Sequence, residues 1–408
     1  MKKIGLLSQI FIAFVLAVIL GLIFGPSVSV IEPLGELFLR LLQFIVVPLI
    51  FATLITAVSG TDIKTVGRIG TKTVSFYLVT TAIAIVIGLA VGFLMQPGVG
   101  VDMPSDMVGE TPDEESQSVV DTFLNIVPEN PIEALAEGEI LQIIFFALFI
   151  GIGVGLVGEK AKIINNFFDG FADVMYKITG MIIKVAPIGI LGLIAPVVGE
   201  YGLDIILPLL KLIIATVIAS IIHAGVTYVT ALRVFGKMGP ITFFKGIAPA
   251  ALFAFSSASS AATLPITIEN TQKNLGVSEK VSSFVLPLGA TINMDGTAIY
   301  QGVAALFVAQ LYGISLGATE ILSIVLIATL ASIGTAGVPG AGLVMLTLIL
   351  SSIGLPLEGL ALVAGIDRIL DMIRCVDNIV GDATVAVAID GTEKRKSKKK
   401  ENIAAEQA

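Results

Sequence analysis

One apolar segment near the C-terminus carries an unusual load of charge. Between Gly359 and Asp390 it holds Asp367, Asp371, Arg374, Asn378 and Asp382, at spacings of 4, 3, 4 and 4 residues. At helical periodicity these side chains fall within an arc of roughly 80°. Such a stripe cannot face lipid, so it faces protein or a water-filled cavity. Arg374 is a fixed cation that can grip a carboxylate through two parallel N–H bonds. Asp371 can accept from an amine, and Asp382, nearer the C-terminal end, can hold a cation. A zwitterion with an extra carboxylate fits that set of partners. The bland alternative is an internal salt-bridge network, with Arg374 paired to Asp371 and Asp377. Arg368, on the opposite flank, fits a snorkelling side chain or a bond to a loop. Cys375 borders the stripe, either lining a pocket or packing.

A second polar island lies in the apolar stretch Val281–Leu311, as Asn293-Met294-Asp295-Gly296-Thr297. A carboxylate at membrane depth is costly unless it is paired or metal-bound. Gly296 beside Asp295 predicts local unwinding that frees backbone carbonyls. Carboxylate, amide oxygen, hydroxyl and loose carbonyls make a hard oxygen site suited to Na⁺ or another hard cation. Tyr77, Thr80 and Thr81 form one hydroxyl-bearing face of another apolar segment. His223, the single histidine, suits either hydrogen-bonded packing or a proton relay.

The surrounding elements must hold these groups in an apolar medium. The chain has 408 residues, 55% hydrophobic and only 14% charged, against about 25% charged in ordinary soluble domains. Mean hydropathy is +0.98. So large and apolar a chain needs the bilayer as solvent, which excludes a soluble enzyme, a nucleic-acid binder and a disordered scaffold. A single Cys rules out an intrachain disulfide, and one Cys with one His rules out a thiolate or imidazole zinc centre.

Uncharged runs near the length of a span cover Ile4–Gly25, Leu41–Gly60, Thr73–Gln96, Ile140–Gly158 and Leu212–Leu232. The N-terminal run resembles a signal peptide, but the further spans mark it as the first membrane helix. Ile163–Gly199 reads as a helix interrupted by Asp169, Asp173, Lys177 and Lys184. Lys2, Lys3, Lys64, Arg68, Lys72, Lys160, Lys162, Arg233, Lys237, Lys245, Lys273, Lys280 and the run Lys394–Lys400 fall on one side. By the positive-inside rule that side, with both termini, is cytoplasmic. The connection 97–139 holds 11 acidic residues and no Lys or Arg, and reads as a solvated extracellular loop.

Two stretches break the pattern of simple spans. Ile321–Leu357 is 37 uncharged residues with Gly334-Thr-Ala-Gly-Val-Pro-Gly-Ala-Gly342 at its centre. Gly246–Ile268 is centred on Ser256-Ser-Ala-Ser-Ser-Ala-Ala-Thr-Leu-Pro265. Each reads as a re-entrant helical hairpin, the first entering from outside and the second from the cytoplasm. Irregular backbone at membrane depth must be buried in protein or line a cavity. Oppositely directed broken hairpins suggest inverted repeats with the site between their tips.

These motifs, in this order, resemble the dicarboxylate/amino acid:cation symporters, the glutamate transporter family. The residues carrying the resemblance are Ser259-Ser260…Thr263-Leu-Pro265, Leu286-Pro-Leu-Gly-Ala-Thr-Ile-Asn-Met-Asp-Gly-Thr297, Gly334…Gly342 and Asp367…Asp371…Arg374…Asn378…Gly381-Asp382. The resemblance covers nearly the whole chain. It implies an all-α integral membrane protein of eight transmembrane helices and two re-entrant hairpins, built from inverted repeats and working as an elevator. It further implies a homotrimer in the cell membrane. Residues 1–70 would carry scaffold helices, 71–96 a transport-domain helix, 97–139 the acidic loop and 140–200 further scaffold helices. Residues 201–391 would complete the transport domain, with hairpins at about 240–274 and 318–356, before a basic cytoplasmic tail, 392–408.

The same resemblance implies the site. One Na⁺ site would use Tyr77, Thr80, Thr81, Asn293 and Asp295. A second would use Asp382 with carbonyls around Asn293, Met294 and Asn378. A third would use carbonyls of Thr291, Ser332, Ile333 and Thr335. Substrate would meet Ser260, Thr297, Val338, Gly342, Asp371, Arg374, Cys375 and Asn378, with Asp371 on the amine and Arg374 on the side-chain carboxylate. The chain departs from the family at Ala258 and Met372, where one or the other is usually Arg, at Cys375, usually Thr, and at Asp377, usually apolar. The implied function is Na⁺-coupled uptake of L-aspartate or L-glutamate. A neutral amino acid or C4-dicarboxylate substrate, proton coupling and an anion channel are the alternatives. No enzymatic activity, organic cofactor or nucleic-acid partner is expected; the partners are substrate, lipid and further copies of the chain.

Overall fold

Charge ends an apolar window without ending a helix, and this decides where the elements begin. The structure, a computed structural model, describes residues 6–59, 63–100, 124, 126–202, 206–332 and 340–407. Among these, all regular structure is helical. Helix α1, Leu6–Phe24, turns through the tight stretch Gly25–Ile31 into α2, Glu32–Ser59. The uncharged run that begins at Leu41 thus lies inside a longer helix that starts at Glu32. Glu36 and Arg40 lie one turn apart, both exposed and 3.8 Å from each other, so they extend the helix into the polar zone. Helix α3, Ile63–Met95, likewise begins ahead of Thr73, and its Lys72 is held by Glu393 at 2.9 Å.

The short helix α4, Pro131–Glu137, lies within the acidic connection. The Asn130 side chain caps it by accepting from the Ile132 and Glu133 amides. Residues 101–123 of that connection lie outside the described residues. Helix α5 is Ile140–Val157 and α6 is Lys162–Tyr201. The expected interruption of α6 does not occur. Asp169, Asp173, Lys177 and Lys184 are all exposed, and the helix passes behind them.

Helix α7, Ile206–His223, continues through two wide π turns, Ala224–Tyr228 and Leu232–Gly236. The first adds a residue to the turn and so brings His223, Thr227 and Tyr228 to the interior together. Helices α8, Pro240–Ser257, and α9, Ser260–Lys273, form a hairpin. At its tip Ala258 is left-handed at φ 50°, and the Ser259 hydroxyl accepts from Ala262 N at 3.2 Å to start α9. Helices α10, Glu279–Ile292, and α11, Asp295–Leu311, are two halves of one broken helix. Helices α12, Ala318–Ala331, and α13, Ala341–Ser352, pack together as a second hairpin. Helix α14 runs from Gly359 to Gln407.

The helices sort into two packing groups. Helices α1, α2, α5 and α6 pack mainly on one another, while α11 lies between α3 and α14, and α14 also meets α8, α9 and α10. Close helix approach uses missing side chains. A Cβ at Gly88 of α3 would fall 2.5 Å from Ile299 O of α11. One at Gly192 of α6 would fall 2.5 Å from Gly35 N of α2. Large apolar side chains such as Phe11, Phe44, Phe149 and Phe167 remain exposed on the outer helices. Among the described residues, four helical segments are long and apolar enough to cross a bilayer: Ser8–Thr56, Ile69–Met95, Gln142–Ile182 and Ile206–Gly236. The polar residues of α11 and α14 lie away from that surface, inside the second packing group.

Candidate functional site

The break between α10 and α11 turns Asn293 and Met294 out of helical geometry and leaves Asp295 as the first residue of α11. A carboxylate there lies at the favourable, positive end of the helix dipole. Asp295 is fully buried. Its Oδ1 accepts from the Thr81 hydroxyl at 2.7 Å, and its Oδ2 accepts from the Tyr228 hydroxyl at 3.0 Å. His223 Nε2 stands 3.4 Å from the same Oδ2, and its Nδ1 is 3.2 Å from Thr227 Oγ1. The Thr80 hydroxyl is 3.4 Å from Asn293 Oδ1.

Asn293 joins this cluster to a second carboxylate. Its Nδ2 donates to Asp382 Oδ1 at 3.0 Å and approaches Asn378 O at 3.5 Å. The Asn378 side chain closes the break, with Oδ1 accepting from Gly296 N at 2.9 Å and Nδ2 against Met294 Sδ at 3.1 Å. Tyr77 is buried beside Asp382, but its hydroxyl donates to Val285 O at 2.8 Å. Two buried carboxylates thus lie among amide, hydroxyl and carbonyl oxygens. Among the described residues, no Lys or Arg is paired with either one. Buried charge needs compensation, and this oxygen set suits a hard monovalent cation. No group of three or more His, Cys, Asp or Glu that could hold a metal occurs among the described residues.

Toward the hairpin tips, α14 supplies the other charge sign. Arg374 is buried, and its Nη2 donates to Asp371 Oδ1 at 2.5 Å. Its Nη1 lies 3.6 Å from Asp367 Oδ1, too long for a hydrogen bond. Neither of those two atoms has another hydrogen-bond partner. The guanidinium carbon sits 4.5 Å from the centroid of the Tyr300 ring, a cation–π contact. A Cβ at Gly342 would overlap this guanidinium, so only glycine leaves it room. Asp371 Oδ2 accepts from Gly340 N at 3.1 Å, tying the second hairpin to α14.

Of the two partners that the salt-bridge alternative offered Arg374, the structure pairs it with Asp371 and not with Asp377. The Asp377 side chain turns toward Ser220 and His223, while Asp371 and Asp367 take Arg374. Asp377 and Arg374 project from different faces of α14, and α7 covers the former. Ser260 is buried at the first hairpin tip, Cys375 lies against it, and Thr297 is buried in the first turn of α11. The Thr291 side chain is exposed at the end of α10 and donates to Leu288 O. Ser332 is buried, with its hydroxyl 3.4 Å from Ile292 O, beside the helix break. Ile333, Thr335 and Val338 lie outside the described residues, as does most of the Gly334–Gly342 motif.

Sequence reasoning assigned no site role to Tyr228, Tyr300, Gly340 or Asp367. Asp367 was visible in the stripe. Tyr228 reaches Asp295 only because a π turn shifts its register, a feature without a sequence signature.

Buried sites of both charge signs, between broken helices in an apolar shell, define a membrane transporter. The sodium:dicarboxylate symporter family matches residues 6–392, and the chain belongs to it. It is therefore a multi-pass membrane protein of a symporter family. The chain is 39% identical over 404 residues to the proton/sodium-glutamate symport protein of Geobacillus stearothermophilus, with 96% of each covered. It is 36% identical over 417 residues to the proton/glutamate-aspartate symporter of Escherichia coli strain K12, covering 98% of this chain and 95% of the relative. It is 35% identical over 412 residues to the C4-dicarboxylate transport protein of Burkholderia ambifaria strain MC40-6, covering 98% and 96%.

Proposed function

We propose that the protein couples inward Na⁺ movement to uptake of an acidic amino acid, L-aspartate or L-glutamate. The reading is carried by one observation: Asp371 and Arg374 share a buried pocket beside the hairpin tips. A ligand ammonium replaces Arg374 on Asp371, and a ligand carboxylate takes the guanidinium so released. A C4-dicarboxylate has no group for Asp371, which favours an amino acid. The glutamate and glutamate-aspartate symport names of two relatives agree with this choice.

Cations are assigned to Asp295 with Thr81, Thr80 and Asn293, and to Asp382 with the carbonyls around Asn378. Each cation cancels a buried carboxylate and lowers the cost of carrying the site past an apolar surface. Substrate and cation occupancy are thereby linked through the Asn293–Asn378 bridge. Helices α3 and α7–α14 form the moving body of an elevator, and α1, α2, α5 and α6 form the scaffold of a homotrimer. The protein resides in the cell membrane with both termini cytoplasmic, as the basic run Lys394–Lys400 near the end of α14 supports.

The test is radiolabelled uptake into proteoliposomes under separately imposed inward Na⁺ and proton gradients. The substrates compared are L-aspartate, L-glutamate, L-serine, L-alanine and succinate. Saturable uptake of the acidic amino acids, driven by Na⁺, is the expected result. Uptake of succinate alone, or uptake driven only by protons, would overturn the substrate or the coupling respectively.

A further inference from the structure

Arg368 stands one residue beyond Asp367 on α14 and has no part in the pocket described so far. Its Nη2 donates to Ser257 O at 3.2 Å, at the tip of the α8–α9 hairpin. Its Nη1 is 3.8 Å from Asp371 Oδ2, and the side chain is only 20% exposed. Its Nε is buried without a hydrogen-bond partner. Asp371 therefore lies between two guanidinium groups, Arg374 on Oδ1 and Arg368 near Oδ2. The same Oδ2 accepts from Gly340 N. Both hairpins thus converge on Asp371, one directly through Gly340 and the other through Arg368.

The charges of the pocket follow from this. Asp367, Asp371, Arg368 and Arg374 together are neutral. An acidic amino acid brings a net charge of about −1 at neutral pH. Without Arg368 the pocket is already anionic, and a net-anionic ligand would be repelled in a medium that screens poorly. A neutral amino acid would meet no such penalty.

We propose that Arg368 is a specificity-determining residue that makes the pocket accept a net-anionic substrate, while positioning the first hairpin tip through Ser257. When a substrate ammonium occupies Asp371, Arg368 remains as the counter-charge on that side and keeps its bond to the tip. The proposal rests on the acidic-amino-acid reading above. A wild-type protein that took up no acidic amino acid would remove both, before any variant was made.

The experiment compares Arg368→Gln and Arg368→Lys with wild type, using the full chain in proteoliposomes. Gln removes the charge but keeps a donor for Ser257 O; Lys keeps the charge but not the fork. For Arg368→Gln the KM for L-aspartate rises about tenfold, with kcat within about twofold, and inhibition by L-asparagine is unchanged or stronger. For Arg368→Lys the KM for L-aspartate stays within about threefold of wild type. A merely structural role would lower kcat and weaken both ligands alike. An unchanged aspartate KM in the Gln variant, or equal weakening for aspartate and asparagine, would overturn the proposal while leaving the transport function intact. If the Gln variant does not fold, a Lys variant whose KM rises tenfold would itself overturn the charge argument.

Discussion

At the scale of single residues, the pocket is poised rather than satisfied. Arg374 Nη1 and Asp367 Oδ1 face each other at 3.6 Å without bonding. An unmade buried bond costs more than a made one returns, so a ligand that completes Arg374 gains that difference. Arg374→Ala should therefore cost an acidic substrate about 2–5 kcal/mol in affinity and leave neutral amino acids favoured. Competition of L-alanine against L-aspartate uptake checks this, and an unchanged order of preference would exclude the role. Asp382 is buried and hydrogen-bonded by the neutral Asn293 amide. Asp382→Asn should weaken Na⁺ dependence by about tenfold or more in the concentration giving half-maximal uptake. A Na⁺ titration with wild-type steepness and midpoint would contradict that assignment.

At the scale of elements, helix approach and helix breakage position these residues. Asp295 can be reached by Thr81 only if α3 and α11 nearly touch, and Gly88 and Gly302 allow that approach. Gly88→Val should push the helices apart and destabilise the protein by about 1–3 kcal/mol. It should also weaken Na⁺ binding, because Thr80 and Thr81 would retreat from the break. Thermal inactivation in detergent, measured with and without Na⁺, reads both effects. Loss of stability with undiminished Na⁺ protection would mean that α3 does not help form the cation site. The α8–α9 hairpin, the α10–α11 break and the π turn of α7 were unequally legible beforehand. The serine cluster around Ser256–Ser260 announced the first, and Gly296 beside a buried Asp295 announced the second. The π turn left no trace, because Ala224–Tyr228 simply continues the uncharged run of α7.

At the scale of the whole molecule, the distribution of charge bears on sidedness and the apolar surface on assembly. The basic run Lys394–Lys400 should be cytoplasmic. Trypsin should remove the tail in inside-out vesicles and spare it in right-side-out vesicles; the opposite pattern would invert the topology. Native mass spectrometry of the detergent-extracted protein should give three times the chain mass of 42.5 kDa. A monomer mass that survived in mild detergent would count against the trimer.

The sequence alone determined the solvent, the class and the positions of the polar clusters that the fold buries. Apolar runs of span length, Ser and Gly clusters at their centres, and charges at helical spacing are one-dimensional signals, and each has one inexpensive physical solution in lipid. It also named both carboxylate clusters, because charge inside an apolar run must be functional or paired. Helix boundaries were less legible: a Glu36–Arg40 pair or a Lys72–Glu393 contact lets a helix run past its apolar window. The partner of Arg374 was legible only as one of two candidates. Asp371 and Asp377 are equally distant along the helix, and only the packing of α7 against one face of α14 separated them. Ring contacts such as Tyr300 on Arg374, and the convergence of two hairpin tips on Asp371, join residues far apart in the chain. Those distances are decided by tertiary packing, since periodicity specifies which face a residue occupies but not what stands opposite it.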